Sequence, residues 1–210
     1  MPAVCFGHAL FLSQTGEHAR AWEEIQLAVL QEPLLLPLKR WQGAVLYNAR
    51  RYPEAIAQFE RLLDAGDDPF AVSGMLVRAY VLSGRDADMQ AFLASLRPKV
   101  SQRDFAGLDL AEAWHLARRG ETGKARALVE HVRQLQFPDW GRDYLRLQEA
   151  VARQALGDRE GVRACLLEVA AADWDPPKFL NVSPEFDELR GYPEFQALVR
   201  RTGLEPAPAL

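Results

Sequence analysis

Residues of the same kind recur in this chain at a step of 34. Ala21 is followed 34 residues later by Ala55, and Ile25 by Phe59. Leu93 continues the series another 34 residues on. Periods of this length mark arrays of small supersecondary units that bury their apolar faces on one another, so the repeat constrains the fold more than any other feature. The clearest unit reads as a small residue, a turn glycine and a second small residue. The first has Ala9, Gly16 and Ala21, followed by Ile25, Ala28 and Pro33. The second has Gly43, Leu46, Tyr52, Ala55, Phe59 and Leu62, and the third Tyr80, Gly84, Leu93 and Leu96. The glycines continue at Gly120 and Gly157, so the later units are longer by two or three residues. Ala113, Leu116, Ala125, Val129 and Val132 form the fourth unit, and Ala150, Val162, Leu166 and Val169 the fifth.

This pattern predicts five antiparallel helix pairs. Small residues at Ala9, Gly43 and Ala113, facing Ala21, Ala55 and Ala125, let two helices approach closely. Glycine between the helices tolerates the left-handed conformation that ends the first. Proline lacks the amide that a continuing helix needs, so Pro33, Pro69, Pro138 and Pro176 are expected to stop the second helix of each unit. No stretch has the period-two alternation of a half-buried strand. The fold class expected is all-α, an α-solenoid of about five helix pairs.

These residues resemble the tetratricopeptide repeat, a 34-residue helix–turn–helix, over roughly residues 2–176. Gly43-Ala-Val-Leu-Tyr-Asn-Ala-Arg-Arg-Tyr-Pro-Glu-Ala-Ile56 is the best match. It is similar to repeats of multidomain bacterial regulators, where such arrays follow a DNA-binding domain, a kinase or a cyclase. The run from Ser183 to Leu204 looks like the segment that closes those arrays. Met89 and Val162 depart from the pattern, standing where alanine is usual. The resemblance implies a right-handed superhelix with repeats near 2–35, 36–69, 70–103, 106–140 and 143–176. It further implies a C-terminal capping helical segment over 183–204; the residues of 205–210, Glu-Pro-Ala-Pro-Ala-Leu, have nothing to pack and are expected to be a disordered tail. Phe186, Leu189, Phe195, Leu198 and Val199 have the helical spacing to cover the last pair. No such cover precedes Cys5, Phe6 and Leu10 at the other end. Two readings fit that bare face: the chain is a piece of a longer protein, or the first repeat packs on a partner or a second copy.

Composition narrows the function. Apolar residues make up 49% of the chain and charged residues 26%, as in a protein with a real core. The net charge of −4 lacks the basic excess of a nucleic-acid binder. The two cysteines, Cys5 and Cys165, form no CxxC unit and fit a reducing cytoplasm. The longest apolar run, near Leu34 to Leu38, contains Pro37 and is too short to span a bilayer.

Catalytic motifs are missing. Cys5 and His8 have helical spacing but lack a second pair to complete a zinc site. His115, beside Trp114, and His131 read as surface or groove residues. Cys165 reads as a core thiol. No phosphate loop or nucleophile elbow occurs. The chain is therefore expected not to be an enzyme and to need no cofactor or metal.

Protein–protein interaction is what the resemblance implies, with the first helix of each pair lining a concave groove. Mapped onto this chain, the partner-binding groove comprises Arg40, Tyr47, Asn48, Arg78, Trp114, Arg118 and Tyr144. Phe6, Leu10, Leu147 and Gln154 extend it. Arginine forks suit carboxylates and aromatic rings supply rigid contact area, so an acidic and partly apolar segment is the expected ligand. Arg40 and Asn48 only approximate the paired Lys and Asn of arrays that clamp chaperone tails, which argues against that role. The resemblance also admits an alternative, the effector-sensing half of a signalling protein whose output domain lies elsewhere.

Overall fold

The computed structural model describes residues 2–137 and 139–208, which form eleven α-helices, three 3-10 segments and no strand. The helices are α1 (Pro2–Gln14), α2 (His18–Gln31), α3 (Leu36–Asn48), α4 (Tyr52–Asp64), α5 (Pro69–Ser83) and α6 (Asp86–Leu96). After them come α7 (Gln102–Arg118), α8 (Thr122–Gln134), α9 (Asp139–Ala155), α10 (Arg159–Ala171) and α11 (Pro193–Arg201). The protein is all-α, and successive helices pack on one another from α1 to α5 in unit 1 and from α7 to α11 in unit 2. Turns of two or three residues join α1 to α2, α3 to α4, α5 to α6, α7 to α8 and α9 to α10. Connections that short fold a helix back on its predecessor.

The chain divides into two compact units. Unit 1 holds Met1–Phe92 and the short segment Asn181–Pro184, and unit 2 holds Leu93–Leu180 and Glu185–Leu210. The division falls inside α6, in the third pair.

In unit 1, Ala9, Leu12, Ala21, Ile25 and Ala28 form a buried cluster with Leu38 and Val45. Gly43 is buried against Phe59: a Cβ on Gly43 would stand 2.7 Å from the Phe59 Cζ. In unit 2, Ala113 and Ala125 are fully buried, and Leu116, Ala117 and Ala125 form a cluster with Leu128, Ala155 and Leu156. Met89 and Val162, the departures from the small-residue pattern, are fully buried as well. The longer spacing after Gly84 is taken up by the first helices, since α7 and α9 each have 17 residues where α3 has 13.

Turn glycines take the left-handed conformation at Gly16, Gly84, Gly120 and Gly157, with φ between 70° and 87°. The second pair has no glycine at the matching place. Arg50 occupies it with φ 60°, the one positive-φ residue other than glycine in the described chain. A side chain in that region costs about 1 kcal/mol or slightly more. Arg50→Gly is therefore expected to stabilise unit 1 by about 1 kcal/mol, raising its thermal midpoint by about 2–4 °C. A lower midpoint would mean that the Arg50 Nη1 bond to the Asn48 carbonyl, 3.2 Å, outweighs the strain.

The prolines work differently from the sequence expectation. Pro33 does follow the end of α2, but α4 ends at Asp64 and its chain turns through the left-handed Gly66. Pro69 then begins α5, with Asp68 as its cap: the Asp68 Oδ1 accepts from the Phe70 amide at 3.0 Å. Proline is well suited to a first helical turn, whose amides have no partner within the helix. Pro176 lies five residues beyond the end of α10. Pro138 lies outside the described residues.

Phe186, Leu189, Phe195, Leu198 and Val199 are all buried, and the rings of Phe186 and Phe195 meet at 5.7 Å. Lys178–Asn181 and Pro184–Leu189 are 3-10 segments, and α11 packs on α10. Residues 205–208 carry no regular structure. No helix among the described residues is long and apolar enough to cross a membrane.

Candidate functional site

The groove residues expected from the sequence fall into two sets. In unit 1, α3 carries Arg40, Tyr47 and Asn48, and α5 carries Arg78. Arg40 is held: its Nε donates to the Asp67 Oδ2 at 2.7 Å, and its Nη2 donates to the Oδ1. Asp67 is buried in the turn that follows α4, and the same Oδ1 accepts from the Asp68 amide at 2.9 Å. The Arg40 hydrogen bonds hold the Asp67 carboxyl below its ordinary pKa, against the opposing effect of burial. Arg40 thus fastens α3 to the α4–α5 turn.

Tyr47 is buried, with the Tyr52 ring 5.9 Å away. Asn48 is also buried. Its Nδ2 donates to the Ser13 Oγ at 3.2 Å, and its Oδ1 accepts a long bond, 3.4 Å, from the Ser183 Oγ. Arg78 is buried, with its guanidinium alongside Gly74. The first pair shows a mixed surface: Phe6 meets Trp41 at 6.1 Å, while Phe11, Leu27 and Leu30 are exposed.

In unit 2, Trp114 and Arg118 lie one turn apart on α7, and α9 carries Tyr144 near its start and Gln154 near its end. Trp114 is buried, with the Arg118 guanidinium 5.6 Å from its ring. Three contacts join these helices to the chain that follows α10. Tyr144 meets the Phe179 ring edge-on at 6.0 Å and 88°. The Arg118 Nη1 donates to the Glu188 Oε1 at 3.4 Å, and the Tyr192 hydroxyl donates to the Gln154 Oε1 at 2.7 Å. The Arg118–Glu188 pair is exposed and contributes a few tenths of a kcal/mol. Apolar burial of Leu180, Phe186 and Leu189 is the stronger hold.

The other candidates are placed as follows. His8 pairs with Glu24 at 3.2 Å. His115 is buried, a correction to its reading as a surface or groove residue, because its position on α7 faces the core of unit 2. Cys165 is buried and burial, with Glu149 nearby, pushes its thiol up to about 12, the behaviour of an unreactive core thiol. Among the described residues no group of three or more His, Cys, Asp or Glu is placed to hold a metal ion.

Sequence reasoning missed the most highly charged feature of unit 2. The Glu149 carboxylate is buried and accepts from three arginines: Arg133 Nε at 2.8 Å, Arg153 Nε at 2.6 Å and Arg146 Nη1 at 2.8 Å. Arg133 reaches Glu168 at 3.0 Å, and Arg153 reaches Asp158 at 2.5 Å. Asp158 in turn caps α10, its Oδ1 accepting from the Gly161 amide at 3.0 Å. Burial raises the Glu149 pKa, but the bonds from Arg153 and Arg133 outweigh it and leave the carboxyl below its ordinary value. The cluster sets Arg133, Arg146 and Arg153 against Glu149, Glu168 and Asp158, so its charge is balanced and its chemistry is structural. In contrast, burial outweighs Arg97 at Asp109 and raises that carboxyl, although the Arg97 Nη1 donates to it at 2.8 Å.

Comparison with protein-family models, with curated proteins and with solved structures finds no match.

Proposed function

We propose that this chain is a protein-interaction module, a tetratricopeptide-type solenoid of five helix pairs whose first-helix faces hold extended segments rich in aromatic and acidic residues. The observation that carries this reading is in unit 2. Tyr144, Arg118 and Gln154 project from α7 and α9 and engage Phe179, Glu188 and Tyr192 of the same chain. An aromatic edge on an aromatic face, a carboxylate on an arginine fork and a hydroxyl on an amide are the contacts such a surface offers to any extended chain. Two proposals follow for the partner: it presents the same three features, and it replaces the chain's own residues at them. A partner with those features needs no lipid or nucleic acid. The proposed place of action is the cytoplasm, and the proposed source bacterial, both on the resemblance to bacterial regulators.

The test uses the intact protein as bait in a lysate of its own host, with crosslinking mass spectrometry to locate contacts. Arg118→Glu with Tyr144→Ala is expected to lose the partners that the unaltered chain recovers, with its circular dichroism unchanged. Crosslinks are expected on α7 and α9. Recovery of the same partners by both baits would sink the reading, as would recovery of none.

A further inference from the structure

Among the described residues, two of the cavities have arginine in their lining, and they differ in how their charge is met. The one in unit 2, about 220 Å³, is lined by Arg126, Val129, Glu130, Arg153, Leu156 and Asp158. It brings its own carboxylates, and Arg153 is already bonded to Asp158 and Glu149. The one in unit 1, about 150 Å³, lies between α3 and α4 and is lined by Lys39, Gln42, Gln58, Arg61, Leu62 and Ala65. Its lining has two cations and no carboxylate. Neither Lys39 nor Arg61 is ion-paired among the described residues. The two come from neighbouring helices, α3 and α4, and line one cavity.

Gln58 makes this a built arrangement. It is 7% exposed, and its Nε2 donates to the Lys39 carbonyl at 3.2 Å. Its Oε1 accepts from the Arg61 Nη2 at 2.8 Å. One buried amide therefore ties the start of α3 to α4 and fixes the guanidinium at the cavity, leaving the other guanidinium donors uncommitted. Gln42 stands three residues after Lys39 on α3, so its amide shares that face. Leu62 is buried beneath. Asp67, a nearby acid that could quench the site, is held by Arg40, and Asp64 is exposed one turn beyond Arg61 and outside the lining.

We propose that this notch binds a phosphate group, either free or carried by a small phosphomonoester. A carboxylate needs a single fork. Two cations from two helices, together with a neutral amide donor, suit a doubly charged tetrahedral oxyanion with acceptors on several sides. The volume is ample for that group with a few ordered waters.

The experiment is a titration of the full chain followed by amide and arginine Nε resonances. Inorganic phosphate, glycerol phosphate and succinate are compared at constant ionic strength. Phosphate is expected to shift Gln42, Gln58 and Arg61 saturably. Lys39→Gln and Arg61→Gln are each expected to weaken binding about tenfold or more, the loss of one charge-assisted bond. Lys124→Gln, on the exposed face of α8, is expected to leave it unchanged. Tighter binding of glycerol phosphate identifies a phosphomonoester as the ligand class; equal or weaker binding identifies the free ion. Non-saturable shifts, shifts that survive in Lys39→Gln, or succinate binding as tightly as phosphate would each overturn the proposal. Thermal midpoints of the variants show that they are folded, and Lys39→Gln decides should Arg61→Gln not be.

Discussion

Glu149→Gln is expected to destabilise unit 2 by about 3–5 kcal/mol, the loss associated with removing one partner of a buried ion pair. The substitution keeps the shape of the side chain but removes the charge that three guanidinium groups face. Arg133 and Arg146 also reach Glu168, which is half exposed and cannot replace a buried carboxylate. Arg153 keeps Asp158. The expected fall in thermal midpoint is about 10 °C, from about 2–4 °C per kcal/mol in a chain of this size. Acid titration provides an independent check. The folded pKa of Glu149 is depressed, so its stabilisation is complete above the unfolded pKa and is lost as pH falls through the folded one. The gap between the two proteins should therefore narrow below about pH 4. A gap that is small at neutral pH, or constant with pH, would show that the cluster does not stabilise unit 2 in this way.

Gly43→Ala is expected to act against the usual trend. Alanine in a helix interior normally gains about 1 kcal/mol over glycine. Here the new methyl would overlap the Phe59 ring, which is fully buried and has nowhere to swing. Overpacking of this sort costs about 1–3 kcal/mol, so unit 1 should lose up to about 2 kcal/mol net where an open helix position would gain about 1. Restoring room by Phe59→Leu in the same chain should cost less than the sum of the two single changes, a coupling that a double-mutant cycle measures. Additive losses would mean that α3 and α4 separate freely and that the close approach is unimportant.

Much of the helix pairing was legible because it depends on residues close in sequence. Ala9 with Ala21, Gly43 with Ala55 and Ala113 with Ala125 are buried as their spacing predicted, and the turn glycines are left-handed. Arg50 was hidden because its side chain gives no sign of its backbone conformation. The prolines were misread because proline favours the first turn of a helix as readily as it ends one, and only the Asp68 cap decides for Pro69. The groove residues could be named by analogy, but their partners could not. Asn48 and Ser183 are 135 residues apart, and no local pattern links them. The Glu149 cluster was invisible for a similar reason, since its members come from three helices and look like ordinary surface charges in sequence.

The return of the chain onto α7 and α9 also has a consequence for the order of synthesis. Arg118 leaves the ribosome 70 residues ahead of Glu188. At translation speeds of about 5–20 residues per second, that separation is roughly 4 to 14 s. A helix forms in about a microsecond, so α7 can be helical long before the Glu188 that engages Arg118 exists. During that interval Arg118 lacks its Glu188 acceptor on every nascent copy. Under the proposed function, a partner made nearby would meet Arg118 before the chain's own carboxylate competes for it.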